Sequence, residues 1–213
     1  MEPTVFFDLD GTLIDPKAGI TGSIRHALER LGVAPVPSPD ELTWCIGPPL
    51  LESLESLLDA DRAPLALRYY RERYGDLGIY ECTLYPGIRD ALSLVRGAGR
   101  RLYVASSKPG VYVERILDHF DLGGFFEGVF GSELDGTRTK KTDLLRFALE
   151  RTGTKGTDAI MVGDRKHDIQ GALHNAIVPI GVLYGYGTAE ELAEAGAARI
   201  ANTPADLFET IFD

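Results

Sequence analysis

Two acidic residues follow a short apolar run close to the beginning of the sequence. Residues 4–7 read as a strand, and Asp8 and Asp10 come directly after it, with Gly11 next. Because side chains alternate along a strand, both carboxylates are expected on the same side, and Gly11 permits a turn beyond them. Two close carboxylates are suited to a divalent cation. A solvated turn has the same composition, so this motif alone leaves both interpretations open.

A second acidic pair follows another apolar run. Residues 159–162 read as a strand, Asp164 follows it, and Asp168 comes one helical turn later. A third carboxylate could therefore reach a metal held by the first pair. Oxygen ligands with open water positions suit Mg²⁺. Taken alone, this pair is equally typical of the acidic start of an ordinary helix.

A hydroxyl and an ammonium group complete the candidate chemistry. Ser106 lies just past the apolar run 101–105, so its hydroxyl and nearby backbone amides could donate to a phosphoryl oxygen, or simply cap a helix. Lys141 opens a helical pattern, where a cation opposes the helix dipole and so calls for a functional reason. Lys140 beside it stays an alternative, and either lysine alone is also typical of a solvated surface.

The elements that position these residues alternate between β-rich runs and amphipathic stretches. Strands are predicted at residues 4–7, 101–105, 159–162 and 179–183, with a weaker one at 128–130. Helices are predicted at about 88–95, 111–120, 143–150 and 168–174. This alternation predicts an α/β fold with a doubly wound, Rossmann-like parallel sheet, whose ligand sites lie at the carboxyl ends of the strands.

The segment between the first strand and the rest of the pattern breaks the alternation. Residues 16–85 contain no convincing strand and four helical patterns, at about 19–31, from Ser38 onwards, at 50–58 and at 63–74. Ser38 and Glu41 form a capping-box signature, and the Gly-Pro-Pro run 47–49 breaks the helical pattern. We therefore predict a core domain of residues 1–15 and 86–213, with residues 16–85 inserted as a helical cap domain.

Composition limits the classes of protein that these motifs can serve. The 213 residues are 44% hydrophobic and 25% charged, with a net charge of −10, which disfavours nucleic acid as a partner. The apolar runs are far shorter than a membrane span, and the first residues lack a basic leader, so a cytoplasmic protein without membrane contact is expected. Cys45 and Cys82 are predicted to be reduced thiols. A monomer and a homodimer both remain open.

The motifs, in the order Asp8 to Thr12, Ser106, Lys141 and then Asp164 to Asp168, resemble the haloacid dehalogenase superfamily. The resemblance extends over essentially the whole chain and is strongest to the branch with an inserted helical cap. Segments 46–50 and 131–138 are similar to a subgroup described as phosphoglycolate phosphatase-like or 5′-nucleotidase-like. Pro16 departs from this pattern, since relatives often carry serine there, and implies a stiffer entry into the cap.

The resemblance implies a two-step phosphatase mechanism on a small phosphorylated metabolite. Asp8 would attack phosphorus to form an aspartyl phosphate, and Asp10 would protonate the leaving oxygen and then deprotonate the hydrolytic water. Mg²⁺ would be held by Asp8, the backbone carbonyl of Asp10, and Asp164, with Asp168 orienting these ligands. The implied phosphate-binding residues are Thr12, Ser106, Ser107 and Lys141.

Substrate choice is expected to lie in the cap. Gly47, Pro48 and Arg68 are the predicted substrate contacts, and the further candidates are Arg25, Tyr69 and Arg71. A small ligand such as phosphoglycolate is favoured because the cap is short. A roomier pocket beside Trp44 or Tyr69 would instead stack a nucleobase.

Several related activities share these motifs. Asp10 argues against dehalogenation, and the absence of lysine between Lys17 and Lys108 argues against a phosphonate hydrolase with a Schiff base in the cap. A 5′-nucleotidase and a phosphomutase remain as alternatives. A phospho-receiver signalling protein also combines aspartates, a hydroxyl and a lysine, but it lacks the insert and would keep its phosphate.

Overall fold

A parallel β-sheet lies at the centre of the chain. The computed structural model describes residues 3–213, and its strands are β1 (Thr4–Phe7), β2 (Ile14–Asp15), β3 (Thr83–Leu84), β4 (Arg101–Pro109), β5 (Gly128–Ser132), β6 (Ala159–Gly163), β7 (Val178–Val182) and β8 (Arg199–Ala201). Six of them form one sheet in the order β5-β4-β1-β6-β7-β8, and every neighbouring pair is parallel. The predicted α/β fold is confirmed.

The strand predictions hold for the centre of this sheet and fail in two places. All five predicted strands are present, although β4 continues four residues further than expected, to Pro109. The edge strand β8 was not predicted. Strands β2 and β3 form a short antiparallel pair, so the expectation of no strand in residues 16–85 is wrong for β3. Two-residue strands are too short to produce a visible alternation.

The helices surround the sheet and fill the segment between β2 and β3. They are α1 (Lys17–Arg30), α2 (Leu50–Leu57), α3 (Ala63–Asp76), α4 (Ile88–Gly97), α5 (Gly110–His119), α6 (Lys141–Thr152), α7 (Lys166–His174), α8 (Ala189–Ala195) and α9 (Leu207–Phe212). Helices α1 to α7 match predicted helical patterns, whereas α8 and α9 were not predicted. In residues 3–213 no helix has the length and apolar character that crossing a membrane requires.

The second helical pattern of the insert is a 3₁₀ helix, Asp40–Cys45, rather than an α-helix. Its predicted capping box is present: the Ser38 backbone N–H donates to Glu41 Oε2 at 2.8 Å, and the Glu41 N–H donates to Ser38 Oγ at 3.4 Å. The Gly-Pro-Pro run follows almost immediately, which leaves no room for further α-helical turns.

Both faces of the sheet are buried under helices, so its strands contribute side chains to two apolar layers. Val5 and Phe7 belong to one buried cluster with residues of α4, α5 and α9, while Phe6 belongs to a second cluster with residues of α6 and α7. Each such fully buried side chain contributes about 1.5–3 kcal/mol of transfer free energy. These two layers fix β1 rigidly at the centre of the sheet.

The helical segment, residues 16–85, shares the first of these clusters. Ile20 and Ile24 of α1 and Tyr74 of α3 are buried in the same cluster as Val5 and Phe7. Helix α1 begins directly after Pro16, and its Gly19 N–H donates to the Glu81 carbonyl at 2.9 Å. A Cβ on Gly19 would lie 1.9 Å from the Gly78 carbonyl oxygen, so this helix start can approach residues 78–81 only with glycine.

We therefore expect Gly19→Ala to destabilise the protein by about 1–3 kcal/mol, because overpacking outweighs the better helix propensity of alanine. Gly97→Ala is the matched control, since Gly97 also lies in a helix but has open space around it. That control should be neutral or stabilising by up to about 1 kcal/mol. Urea unfolding followed by circular dichroism measures both. Equal free energies of unfolding for the two variants would contradict the close approach.

Candidate functional site

Three neighbouring strands end beside one another and bring the predicted motifs together. β1 lies between β4 and β6, and Phe7 is in register with Val104 and with Val162. The Asp8 N–H still donates to the Val162 carbonyl at 2.9 Å, so the strand pairing itself fixes the position of Asp8. Asp8, Ser106 and Asp164 consequently lie at the same carboxyl edge of the sheet.

An acidic cluster occupies this edge. Within residues 3–213, Asp8, Asp164 and Asp168 each offer a carboxylate oxygen, and these oxygens all lie within 4.8 Å of one another. All three residues are buried. Burial, with the charges of Asp168 and Asp8, raises the pKa of Asp164 well above its usual value. Burial also raises the pKa of Asp168 to about 6 against the opposing charge of Lys141.

Lys141 brings positive charge into this cluster. Its Nζ lies 3.0 Å from Asp8 Oδ1 and 2.7 Å from Asp168 Oδ1, and it donates to the Ala105 carbonyl at 2.8 Å. Burial alone would lower the pKa of Lys141, but the charges of Asp168 and Asp8 outweigh it and raise that pKa above its usual value. These contacts account for a cation at the start of α6. Lys140, by contrast, is exposed.

A second buried ion pair, which the sequence analysis did not identify, involves Asp10. Lys108 Nζ lies 2.6 Å from Asp10 Oδ1, and both side chains are less than one-tenth exposed. Burial raises the pKa of Asp10 although Lys108 opposes the shift. The available signal was the lysine two residues after Ser106. Because β4 extends to Pro109, Lys108 and Ser106 both lie near the carboxyl end of the same strand.

The loop after β7 closes against Asp164. The Tyr186 N–H donates to Asp164 Oδ2 at 2.8 Å, and the Tyr186 hydroxyl is hydrogen-bonded to Asp15, the residue before the helical segment. Gly11 has a φ of +79°, and a Cβ there would lie 2.1 Å from Asp164 Oδ2. A Cβ on Gly185 would lie 2.4 Å from Asp164 Cβ. Both glycines are thus required by close packing around one carboxylate.

A cavity of about 280 Å³ opens above Asp8 and Asp10, between the sheet edge and the helical segment. Of the predicted site residues, it is also lined by Gly47, Pro48, Ser106 and Ser107. Thr12, predicted to bind phosphate, is fully buried instead, and its hydroxyl has no hydrogen-bond partner. The cavity therefore combines the strand-end motifs with the loop at the Gly-Pro-Pro break.

Of the other candidate substrate contacts, only Arg71 lines the cavity. Arg68 is exposed and, like Arg25, does not line the cavity, whereas Arg71 does. Neither Trp44 nor Tyr69 reaches it; Trp44 is 42% exposed, and Tyr69 packs under Arg30. The aromatic residues that line the cavity are Tyr70, Tyr74 and Tyr112. On α3, the cavity is thus lined by Arg71 and by the neighbours of Arg68 and Tyr69, namely Leu67 and Tyr70, because tertiary packing sets the rotation of the helix.

Comparison with known proteins places the chain in a family. A family model described as haloacid dehalogenase-like hydrolase matches residues 5–182. A protein from Pseudomonas aeruginosa named 5′-nucleotidase is 45% identical over 89% of this chain and 86% of its own length. A phosphoglycolate phosphatase from Caulobacter vibrioides is 31% identical over 92% of this chain and 85% of its own length. The tyrosine-protein kinase PtkA of Mycobacterium tuberculosis is 42% identical over 87% of this chain, which spans 64% of that longer protein.

The same family is found among solved structures. The crystal structure of a predicted phosphatase from Clostridium acetobutylicum has a TM-score of 0.95 and 41% identity, covering 100% of this chain and 99% of that one. The matched family model extends over both acidic motifs, Lys141 and the strands that carry them. The chain belongs to the haloacid dehalogenase-like hydrolases and is a phosphatase of that family.

Proposed function

We propose that this phosphatase hydrolyses a phosphomonoester whose leaving group has the size of a nucleoside, using Asp8 as nucleophile and Mg²⁺ as cofactor. The observation that carries the proposal is the position of Asp8 below a cavity of about 280 Å³, with Lys141 at 3.0 Å. Residues 1–15 and 86–213 would supply the chemistry. Residues 16–85 would serve as the cap that encloses the leaving group.

Asp10 would carry out both proton transfers of the reaction. The Asp8 carboxylate attacks phosphorus, the bond from phosphorus to the leaving oxygen breaks, and Asp10 gives that oxygen its proton. Water then attacks phosphorus while Asp10 takes its proton, and the bond from phosphorus to the Asp8 oxygen breaks, which frees inorganic phosphate and the Asp8 carboxylate. A raised pKa suits Asp10 to the first transfer, because the carboxyl must carry a proton before it can give one. Ser106, Ser107 and Lys141 would bind phosphoryl oxygens.

The acidic cluster fits a hard divalent cation such as Mg²⁺. Its donors are all carboxylate oxygens, and Oδ1 of Asp164 is buried without a hydrogen-bond partner, as expected of an atom reserved for a metal. Asp8, the Asp10 backbone carbonyl and Asp164 would hold the ion, with Asp168 behind them. When bound, it would offset the repulsion between the anionic nucleophile and the anionic phosphate.

The cavity wall supports a nucleoside-sized leaving group more than phosphoglycolate. Tyr70 and Tyr112 line the cavity beside the apolar side chains of Ile20 and Leu67. Phosphoglycolate would leave most of this aromatic and apolar wall without a partner, whereas a nucleobase could stack on it. The relative named 5′-nucleotidase also shares more sequence identity, 45% against 31% for the Caulobacter phosphoglycolate phosphatase. Phosphoglycolate remains the second candidate because Arg71, which lines the same cavity, could pair with its carboxylate.

The metal site generates a prediction about stability. Because the pKa of Asp164 is higher in the folded than in the unfolded protein, the metal-free fold loses stability as pH rises from about 4 through the raised pKa. Asp164→Asn removes this loss, so at pH 7 in chelator its Tm should exceed that of wild type, by about 2–4 °C for each kcal/mol relieved.

Excess Mg²⁺ should reverse that order, because binding to the folded state stabilises wild type and should scarcely affect Asp164→Asn. Glu127→Gln is the control, since Glu127 lies in an ion pair with Arg101, at the beginning of β4 and away from the acidic cluster. Thermal unfolding in chelator and in Mg²⁺ measures all three proteins. If Mg²⁺ raises the Tm of Asp164→Asn as much as that of wild type, the proposed ligand set is wrong.

Substitutions of Asp8 and of Asp10 should block different steps of the reaction. With p-nitrophenyl phosphate, Asp8→Asn should give neither turnover nor an acid-stable phosphoenzyme. Asp10→Asn should still be phosphorylated, because this leaving group needs little protonation, but should hydrolyse the phosphoenzyme about 10²–10⁴-fold more slowly. Rapid quenching with radiolabelled substrate measures both. Circular dichroism checks folding, and phosphoenzyme formation by pure Asp8→Asn would rule out Asp8 as the nucleophile.

Substrate class is tested with a matched pair of compounds. Nucleoside 5′-monophosphates and ribose 5-phosphate share the phosphoryl group and the sugar, so kcat/KM should differ by the contribution of the base. Stacking contributes about 1–3 kcal/mol per base, or roughly 5- to 150-fold. Tyr112→Leu should reduce this ratio without changing turnover of ribose 5-phosphate. A higher kcat/KM for phosphoglycolate, or transfer of phosphate to a second sugar position, would favour the second candidate or a phosphomutase.

A further inference from the structure

We propose that Arg165 is a positioning residue that holds the 46–49 loop of the helical segment over the active site, with Glu191 as its anchor. The inference rests on the proposed function in one respect, namely that the leaving group occupies the cavity which this loop lines. Arg165 does not line that cavity, so its effect would be exerted through the loop.

The guanidinium group of Arg165 joins two parts of the chain that are distant in sequence. Its Nη1 donates to the Ile46 carbonyl at 2.5 Å, and its Nε donates to Glu191 Oε1 at 2.9 Å. The same oxygen of Glu191 accepts the Lys166 N–H at 2.9 Å. The side chains of Arg165 and Glu191 are only 12% and 22% exposed, so solvent screens this ion pair less than a surface pair.

The backbone of the loop is shaped to accept this contact. Gly47 has a φ of +101°, a conformation that side-chain-bearing residues rarely adopt, and a Cβ there would lie 2.8 Å from Arg165 Cγ. Gly47 therefore rests directly on the aliphatic part of Arg165, while the Ile46 carbonyl accepts from its guanidinium. Gly47, Pro48 and Pro49 all line the cavity, so Arg165 sets the position of this part of the cavity lining.

The choice of arginine has a physical reason. Its planar, charged fork donates in two directions at once, to a carbonyl and to a carboxylate, which a lysine ammonium on a flexible stem reproduces poorly. Arg165 also follows Asp164 directly, and its N–H donates to Asp168 Oδ2 at 3.1 Å. The residue that supports the loop is thus rigidly attached to the acidic cluster. This attachment keeps the position of the loop relative to Asp8 nearly constant. Small displacements of groups that position a substrate strongly lower the catalytic rate.

The test removes the anchor and leaves Arg165 in place, because Glu191 touches neither the cavity nor the acidic cluster. In Glu191→Ala, kcat/KM for the preferred nucleoside monophosphate should fall about 10-fold, as expected for loss of one buried, charge-assisted hydrogen bond. Acetyl phosphate, whose leaving group is only acetate, should lose less than twofold. Glu191→Gln should recover part of the difference, since its amide oxygen can still accept from Arg165. Glu127→Ala, which removes the Arg101 ion pair, should leave both rates unchanged.

A second measurement needs no substrate. Hydrogen exchange of the Ile46, Gly47 and Leu50 backbone amides should become faster in Glu191→Ala than in wild type or Glu127→Ala, while exchange in β1 stays the same. Equal losses for both substrates, or no loss, together with unchanged exchange would overturn the positioning role. If wild type hydrolyses no nucleoside monophosphate but the loop amides still exchange faster in the variant, the proposed substrate class fails and the role of Arg165 stands.

Discussion

The site depends on one buried ammonium group placed between two carboxylates. Lys141 contacts both Asp8 and Asp168, which come from the end of β1 and from α7, and it also donates to the Ala105 carbonyl on β4. A single side chain therefore joins α7 to β1 and β4, which are neighbours in the sheet. Removing this ammonium group would leave the Asp8 and Asp168 carboxylates uncompensated in a buried site. Breaking a buried ion pair in this way destabilises a protein by about 3–5 kcal/mol, a large part of its total stability.

Close packing by glycine around Asp164 is the second constraint. A buried aspartate needs backbone that approaches it closely. Around Asp164 only glycine permits this approach, because a Cβ at Gly11 or Gly185 would overlap the Asp164 side chain. The same loop carries Tyr186, which contacts Asp164 through its backbone and Asp15 through its hydroxyl. Asp15 ends β2 and directly precedes the helical segment, so Tyr186 connects the entry to that segment with the acidic cluster.

The sequence was sufficient wherever a signal is local and repeated. Strand ends followed by acidic or hydroxyl residues located Asp8, Ser106 and Asp164, because parallel strands place their carboxyl ends at one edge. Contacts that depend on the relative rotation of two elements were not accessible in this way. Arg68 and Arg71 were both candidates, and only the structure shows that Arg71 lines the cavity and Arg68 does not. The pairing of Lys108 with Asp10 joins residues 98 positions apart. Short strands and the helices near the end of the chain also lacked a periodic signal strong enough to detect.

Charge balance links these features to the proposed cofactor. Four buried carboxylates, those of Asp8, Asp10, Asp164 and Asp168, face two buried ammonium groups, those of Lys108 and Lys141. With all of them ionised, the site would carry an excess of two negative charges before any phosphate arrives, and a phosphate dianion would add two more. Burial is the main cause of the raised pKa values of Asp10, Asp164 and Asp168, and the charge of Asp8 adds to each of these shifts. The proposed divalent cation would supply the two missing positive charges, which would allow the carboxylates to ionise and the anionic substrate to approach Asp8.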